Sequence, residues 1–187
     1  MVLIVAVIGR SGTGKTVTIE YLIKQFSAEN YKIGAIKHVH HEGFTIDTEG
    51  KNTWRYAKAG AKVIVAISPD EVAVIKKVMQ KTDSLDKAIE SIKKEDIDII
   101  FVEGYHSLIA KRGDIVKIVT VKEEKTLHET LSEIVEPIIA ISGLIAKNTK
   151  ITVIQNYPVI KIPKDGKKLV ELIKQQLIIQ KGSDLDG

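Results

Sequence analysis

The chain predicts an α/β fold with a mainly parallel, twisted sheet flanked by helices on both faces. Three observations carry this. Short β-branched apolar runs alternate with segments of helical spacing along the 187 residues. The runs at 2–8 and 97–102 are apolar at nearly every position, as strands covered on both faces are. The first run also leads through a glycine-rich turn straight into a helical pattern, the strand, loop and helix of a nucleotide-binding unit.

Taken in order, residues 2–8 form the first strand and 17–26 continue at helical spacing. Residues 31–36 (YKIGAI) read as a second strand. The polar stretch 37–52, with its histidines and glycines, fits neither period and is a candidate active loop. A short helix over 53–59 is broken by Gly60, 62–67 (KVIVAI) is a strand, and 71–76 is one more. Helical spacing over 84–94 follows a Thr-Asp-Ser start, and the buried strand 97–102 stops at Glu103-Gly104. Strands follow at 115–121 and 136–141, with short extended pieces at 151–154 and 159–162. The last helix, 165–179, places Leu169, Val170, Leu172, Ile173 and Leu177 on its apolar face. Residues 1–180 are expected to form a single nucleotide-binding domain, with a polar, disordered tail at 181–187.

Between the first strand and the first helix stands Gly9-Arg10-Ser11-Gly12-Thr13-Gly14-Lys15-Thr16, a complete G-x-x-x-x-G-K-[ST] phosphate-binding loop. It predicts a P-loop NTPase fold. The glycines let backbone N–H groups turn inward, the helix start adds its dipole, and Lys15 supplies a point charge for the β- and γ-phosphates. The Thr16 hydroxyl is then placed to ligate Mg²⁺. A carboxylate at the end of a buried strand can hold the metal's water shell opposite it, which singles out Glu103 and, after it, Asp47.

Composition narrows the remaining classes. A net charge of +4 with acids interleaved among the lysines does not imply nucleic-acid binding. Zero cysteines exclude disulfides, thiolate metal sites and a cysteine nucleophile. The opening apolar run is too short for a membrane span and has no basic region before it, so a soluble, cytoplasmic protein is expected.

A second cluster lies in residues 36–55. Lys37, Lys51 and Arg55 suit a second anionic group, or a solvated basic face. His38, His40 and His41 could contact an anion or substrate, hold a transition metal, or be structural. Anion contact is favoured because His41 points away from the other two on an extended segment. Trp54, the single tryptophan, is read as a core or dimer contact.

The Gly-x-Ser-Gly-x-Gly-Lys-Thr loop, Ile36-Lys37-His38-Val39-His40-His41, the Asp47 to Arg55 run, Ala59-Gly60-Ala61 and Val102-Glu103-Gly104-Tyr105 together resemble the molybdopterin-guanine dinucleotide biosynthesis protein B (MobB) family. The resemblance covers residues 1 to about 105. Gly43 is an extra residue, Asn52 stands where an aspartate is usual, and His106 stands where a lysine is more common.

What the resemblance implies is a GTP-binding accessory protein, a homodimer with weak Mg²⁺-dependent GTP hydrolysis. It would assist molybdopterin guanylyltransferase in joining GMP to molybdopterin, whose phosphate would meet the basic cluster. The alternative is a small-molecule kinase in which Asp47 or a histidine deprotonates an acceptor hydroxyl. Only three arginines, at positions 10, 55 and 112, weigh against it, because clamping a transferring phosphoryl group is commonly an arginine task.

Overall fold

The computed structural model describes residues 2–41, 43–77 and 85–183. In chain order the elements are β1 (Leu3–Ile8), α1 (Lys15–Ala28), β2 (Ile33–Lys37), α2 (Asn52–Lys58), β3 (Val63–Ile67), β4 (Val72–Lys76) and α3 (Leu85–Lys93). There follow β5 (Ile99–Glu103), α4 (His106–Ile109), β6 (Val116–Thr120), a 3₁₀ turn, α5 (Leu127–Ser132), β7 (Ile138–Ser142) and α6 (Leu144–Asn148). The chain closes with β8 (Val153–Ile154), β9 (Tyr157–Pro158) and α7 (Gly166–Ser183). It divides into two compact units, Met1–His38 with Leu85–Gly187, and Val39–Ser84.

The first unit is built on a five-stranded, all-parallel sheet in the order β2-β5-β1-β6-β7. Alternation along β1 explains its two cores. Leu3, Val5 and Val7 face Ile19, Leu22 and Phe26 of α1 and Leu169 and Ile173 of α7. Ile4, Ala6 and Ile8 face the other way, with Leu85 and Ile89 of α3, Ile109 of α4, Leu127 of α5 and Ile145 of α6. Because every strand is reached by a crossover, both faces are covered, and all six β1 side chains are buried. Each large aliphatic side chain buried this way contributes about 1.5–3 kcal/mol.

Among the described residues a few polar side chains are buried with this apolar set, and one of them is a lysine. Lys117 of β6 is 0% exposed, and its ammonium donates to the carbonyls of Arg112 and Ile115 (2.8 Å for the latter). Burial is the largest influence on its pKa and pulls it below the ordinary lysine value.

In the second unit β3 and β4 pair antiparallel, Val65 opposite Val74 and Ile67 opposite Val72, as a two-stranded sheet separate from the parallel one. Strands at 62–67 and 71–76 are thus present as expected. Their connection of four residues, Ser68 to Glu71, is too short for a parallel crossover.

The short helices α4, α5 and α6 are additions to the expected elements. The extended pieces late in the chain resolve into a small hairpin, β8 against β9, turning on Gln155 and Asn156 with φ of 49° and 69°. Val159 then forms a parallel bridge to Ile141 at the edge of β7. The final helix runs beyond 179 to Ser183, through the start of the expected tail, while 184–187 lie outside the described residues. Ser84, the expected start of α3, also lies outside them.

Candidate functional site

The phosphate loop leaves β1 at Ile8 and enters α1 at Lys15. Its fixed shape comes from the ends of β6 and β7. The Thr120 hydroxyl donates to the Ile8 carbonyl at 3.1 Å and shares a 2.7 Å hydrogen bond with the Thr13 hydroxyl. Leu144 N–H donates to the Thr13 carbonyl at 3.1 Å. Gly143, at φ 90°, lies so close to this loop that a Cβ there would collide with the Thr13 carbonyl. Gly14 takes the left-handed conformation ahead of α1, and the Thr18 hydroxyl donates back to its carbonyl at 3.0 Å.

Lys15 is half-buried and its ammonium donates to the Arg10 carbonyl at 2.7 Å, bracing the loop from inside. Burial pulls its pKa below the ordinary lysine value; Glu103 opposes that shift and Lys37 adds to it. The Thr16 hydroxyl donates to both Glu103 carboxylate oxygens, at 3.1 and 3.3 Å. A hydroxyl that gives its proton to a carboxylate keeps its lone pairs for a cation. Two hard oxygen donors side by side at the loop are of the kind that fits Mg²⁺, and Thr16 and Glu103 are the residues that would hold it.

Glu103 is the last residue of β5, and its register partner Lys37 is the last residue of β2. The Lys37 ammonium donates to Glu103 Oε1. Pairing continues one step further, with His38 N–H donating to the Glu103 carbonyl at 2.8 Å. The His38 ring stacks on Tyr105 with centroids 4.0 Å apart and planes 13° from parallel. Gly104 permits this approach, since a Cβ there would stand 2.5 Å from that of His38. Just beyond, burial lowers the His106 pKa; Glu133 opposes the shift, while Lys15 and Arg10 deepen it.

Beside the loop a cleft of about 440 Å³ opens between Arg10, Ser11 and Thr13 on one side and Thr120, Lys122 and Glu123 on the other. It lies outside the carboxyl ends of β1 and β6, where strand order reverses and α/β sheets take ligands. Lys122 reaches back toward the loop, where its ammonium would stand 3.5 Å from a Cβ placed on Gly12.

The structure therefore brings Gly9, Arg10, Ser11, Gly12, Thr13, Gly14, Lys15, Thr16, Lys37, His38 and Glu103 to one end of the parallel sheet. The other sequence candidates lie in the second unit. There Asp47 Oδ1 accepts from Thr48 N–H at 2.9 Å and from the Thr53 hydroxyl at 2.8 Å, tying a turn to the start of α2. Its Oδ2 is buried without a protein partner. Lys51 is the extended residue that caps the start of α2, and its carbonyl accepts from Arg55 N–H at 3.0 Å. His40 and His41 are exposed on the irregular segment that follows β2. Trp54 is half-buried, and the Lys58 ammonium lies 5.1 Å from its ring centre.

The family model described as "Molybdopterin guanine dinucleotide synthesis protein B" matches residues 4–143. The chain belongs to the MobB family. It is 31% identical over 139 residues to a molybdopterin-guanine dinucleotide biosynthesis adapter protein of Haemophilus influenzae, covering 74% of this chain and 73% of that one. The protein of the same description in Escherichia coli is 32% identical over 113 residues, with 59% of this chain and 64% of the relative covered. In three dimensions the chain is similar to the crystal structure of Bacillus subtilis MobB, with a TM-score of 0.71 and 26% identity over 93% of this chain and 97% of that one.

Sequence reasoning missed the parts of this MobB site that carry no motif. Thr120 and Gly143 hold the phosphate loop from 107 or more residues away. Their signal was modest: a hydroxyl and a glycine, each at the point where a buried strand ends.

Proposed function

We propose that this chain binds a guanine nucleotide on Gly9 to Thr16 and acts as an adapter in forming molybdopterin guanine dinucleotide. The observation that carries the reading is the Thr16–Glu103 pair, which joins the phosphate loop to the end of β5 in a chain of the MobB family. The relatives' description as adapter proteins in that biosynthesis supports the role. In this reading the loop holds GTP with Mg²⁺ on Thr16 and Glu103, and the cleft toward Lys122 and Glu123 receives the nucleoside. Lys37 and His38 serve a second anion, the molybdopterin phosphate, and His40, His41, Lys51 and Arg55 of the second unit are anion contacts in their own right. The partner is a molybdopterin guanylyltransferase, which carries out the attachment of GMP.

Slow hydrolysis fits the electrostatics. Glu103 already accepts from Lys37 and Thr16, so its carboxylate oxygens are engaged by protein donors rather than left to deprotonate a water. A homodimer is supported by the β3–β4 hairpin, one face of which presents Val63, Val65, Ile67, Val72 and Val74, each 53–78% exposed. A β-branched face of this kind is the sort that a second copy covers.

Calorimetric titration with GTP, ATP and GDP in Mg²⁺, followed by phosphate release with and without a molybdopterin guanylyltransferase, tests the reading. GTP and GDP should bind and ATP should bind more weakly, with hydrolysis slow alone. ATP binding far tighter than GTP removes the guanine assignment. Rapid phosphate transfer to a small acceptor would instead make the chain a kinase.

A further inference from the structure

The Lys37–Glu103 pair stands where a metal would be needed. Glu103 is the carboxylate that accepts from Thr16, and its side chain is only 9% exposed. A carboxylate so placed, next to a loop made for phosphates, repels the very anion the loop collects. P-loop sites offset this with the divalent cation that arrives with the nucleotide. Here the chain supplies a cation of its own. The Lys37 side chain is 57% exposed, so its ammonium can leave for solvent without disturbing the core. Its backbone, by contrast, is fixed in register with Glu103 at the ends of adjacent parallel strands. The arrangement is thus a rigidly mounted but releasable charge on the metal-facing carboxylate.

We infer that Lys37 is the resident counter-ion of Glu103, which lets the loop accept a nucleotide before any metal arrives and is displaced by the metal. This inference rests on the nucleotide reading above. While Lys37 sits on Glu103, the carboxylate presents little net charge to the phosphates. Once a divalent cation takes over Glu103 and Thr16, the ammonium is released and available to a second anion. Metal binding and second-anion binding are therefore coupled in the favourable direction.

The test compares nucleotide affinity in excess EDTA with affinity in Mg²⁺, for wild type, Lys37→Met, Lys37→Arg and Glu103→Gln with and without Lys37→Met. GDP serves as the probe, with binding followed by calorimetry. Lys37→Met should weaken metal-free binding at least about tenfold while changing Mg²⁺-supported binding much less, because a carboxylate that has lost its Lys37 partner then faces the phosphates. Lys37→Arg should restore metal-free binding. In the Glu103→Gln background, removing Lys37 should have little effect on metal-free affinity.

An unchanged ratio of EDTA to Mg²⁺ affinity in Lys37→Met overturns the inference. So does an equal loss from Lys37→Met in the Glu103→Gln background, which would make Lys37 a direct phosphate ligand. Wild type that binds no nucleotide under either condition removes the underlying nucleotide reading as well.

Discussion

The two units of this chain solve the burial problem differently. In the parallel-sheet unit, β1, β5, β6 and β7 are buried at every position, with helices supplying an apolar layer on each face. In the Val39–Ser84 unit, β3 and β4 expose alternate residues all along their length, and α2 has no buried residue. A two-stranded sheet in water is marginal on its own. The first unit has the cover that a stable fold requires, whereas the second carries an apolar face suited to a partner. What differs is sequence pattern: continuous β-branched runs joined by crossovers in one, a period-two hairpin with a tight turn in the other.

The sharpest way to break this contrast is to cut into each unit and read stability. Leu22 is fully buried in the layer between α1 and the sheet. Leu22→Ala should cost about 2–5 kcal/mol in urea denaturation through lost transfer energy and a cavity. Gly143→Ala comes next, at about 2 kcal/mol, because the new Cβ meets the Thr13 carbonyl at a φ of 90° that disfavours side chains. It should also weaken nucleotide binding, since the atom it displaces belongs to the phosphate loop. A Gly143→Ala protein with wild-type stability and affinity would show that the loop is not held from β7.

The hairpin should respond the opposite way. Val65→Glu with Val74→Glu places two acids opposite one another on the exposed face. Monomer stability should fall by no more than about 1 kcal/mol, the scale of like charges facing each other across a strand pair. Sedimentation should nonetheless show a dimer becoming a monomer, with nucleotide affinity retained. A double variant that remains dimeric assigns the interface elsewhere.

How much of this was legible in the sequence follows the same division. The parallel strands could be read directly, because strands buried on both faces leave continuous apolar runs, and the phosphate loop with its strand and helix could be read because all of it is local. Helices α4, α5 and α6 could not, since four to six residues are too few to display a helical period. The antiparallel pairing of β3 and β4 was there to be found in the four-residue connection Ser68 to Glu71, which no parallel crossover can use. At the site, Glu103 was singled out by its place at a strand end. Its contacts with Thr16 and Lys37 depend on the order β2-β5-β1, and strand order is not encoded in any single segment. Thr120 is silent for the same reason.

The smallest expected effect is in acid, and it tests the loop's electrostatics from outside the motif. The His106 pKa is lowered, first by burial and then by Lys15 and Arg10, against the pull of Glu133. A base whose folded pKa lies below its unfolded value of 6.5 contributes stability that is present above that value and is lost as pH falls through the depressed folded one. Wild type should therefore lose more stability than His106→Gln when urea midpoints are compared at neutral pH and below the unfolded histidine value. An equal loss in both proteins removes His106 as the source. Bound phosphate sharpens the reading further: anions on the loop offset Lys15 and Arg10, so nucleotide should narrow the gap between the two proteins. Burial itself is unaffected by the anion, so the gap should narrow without closing.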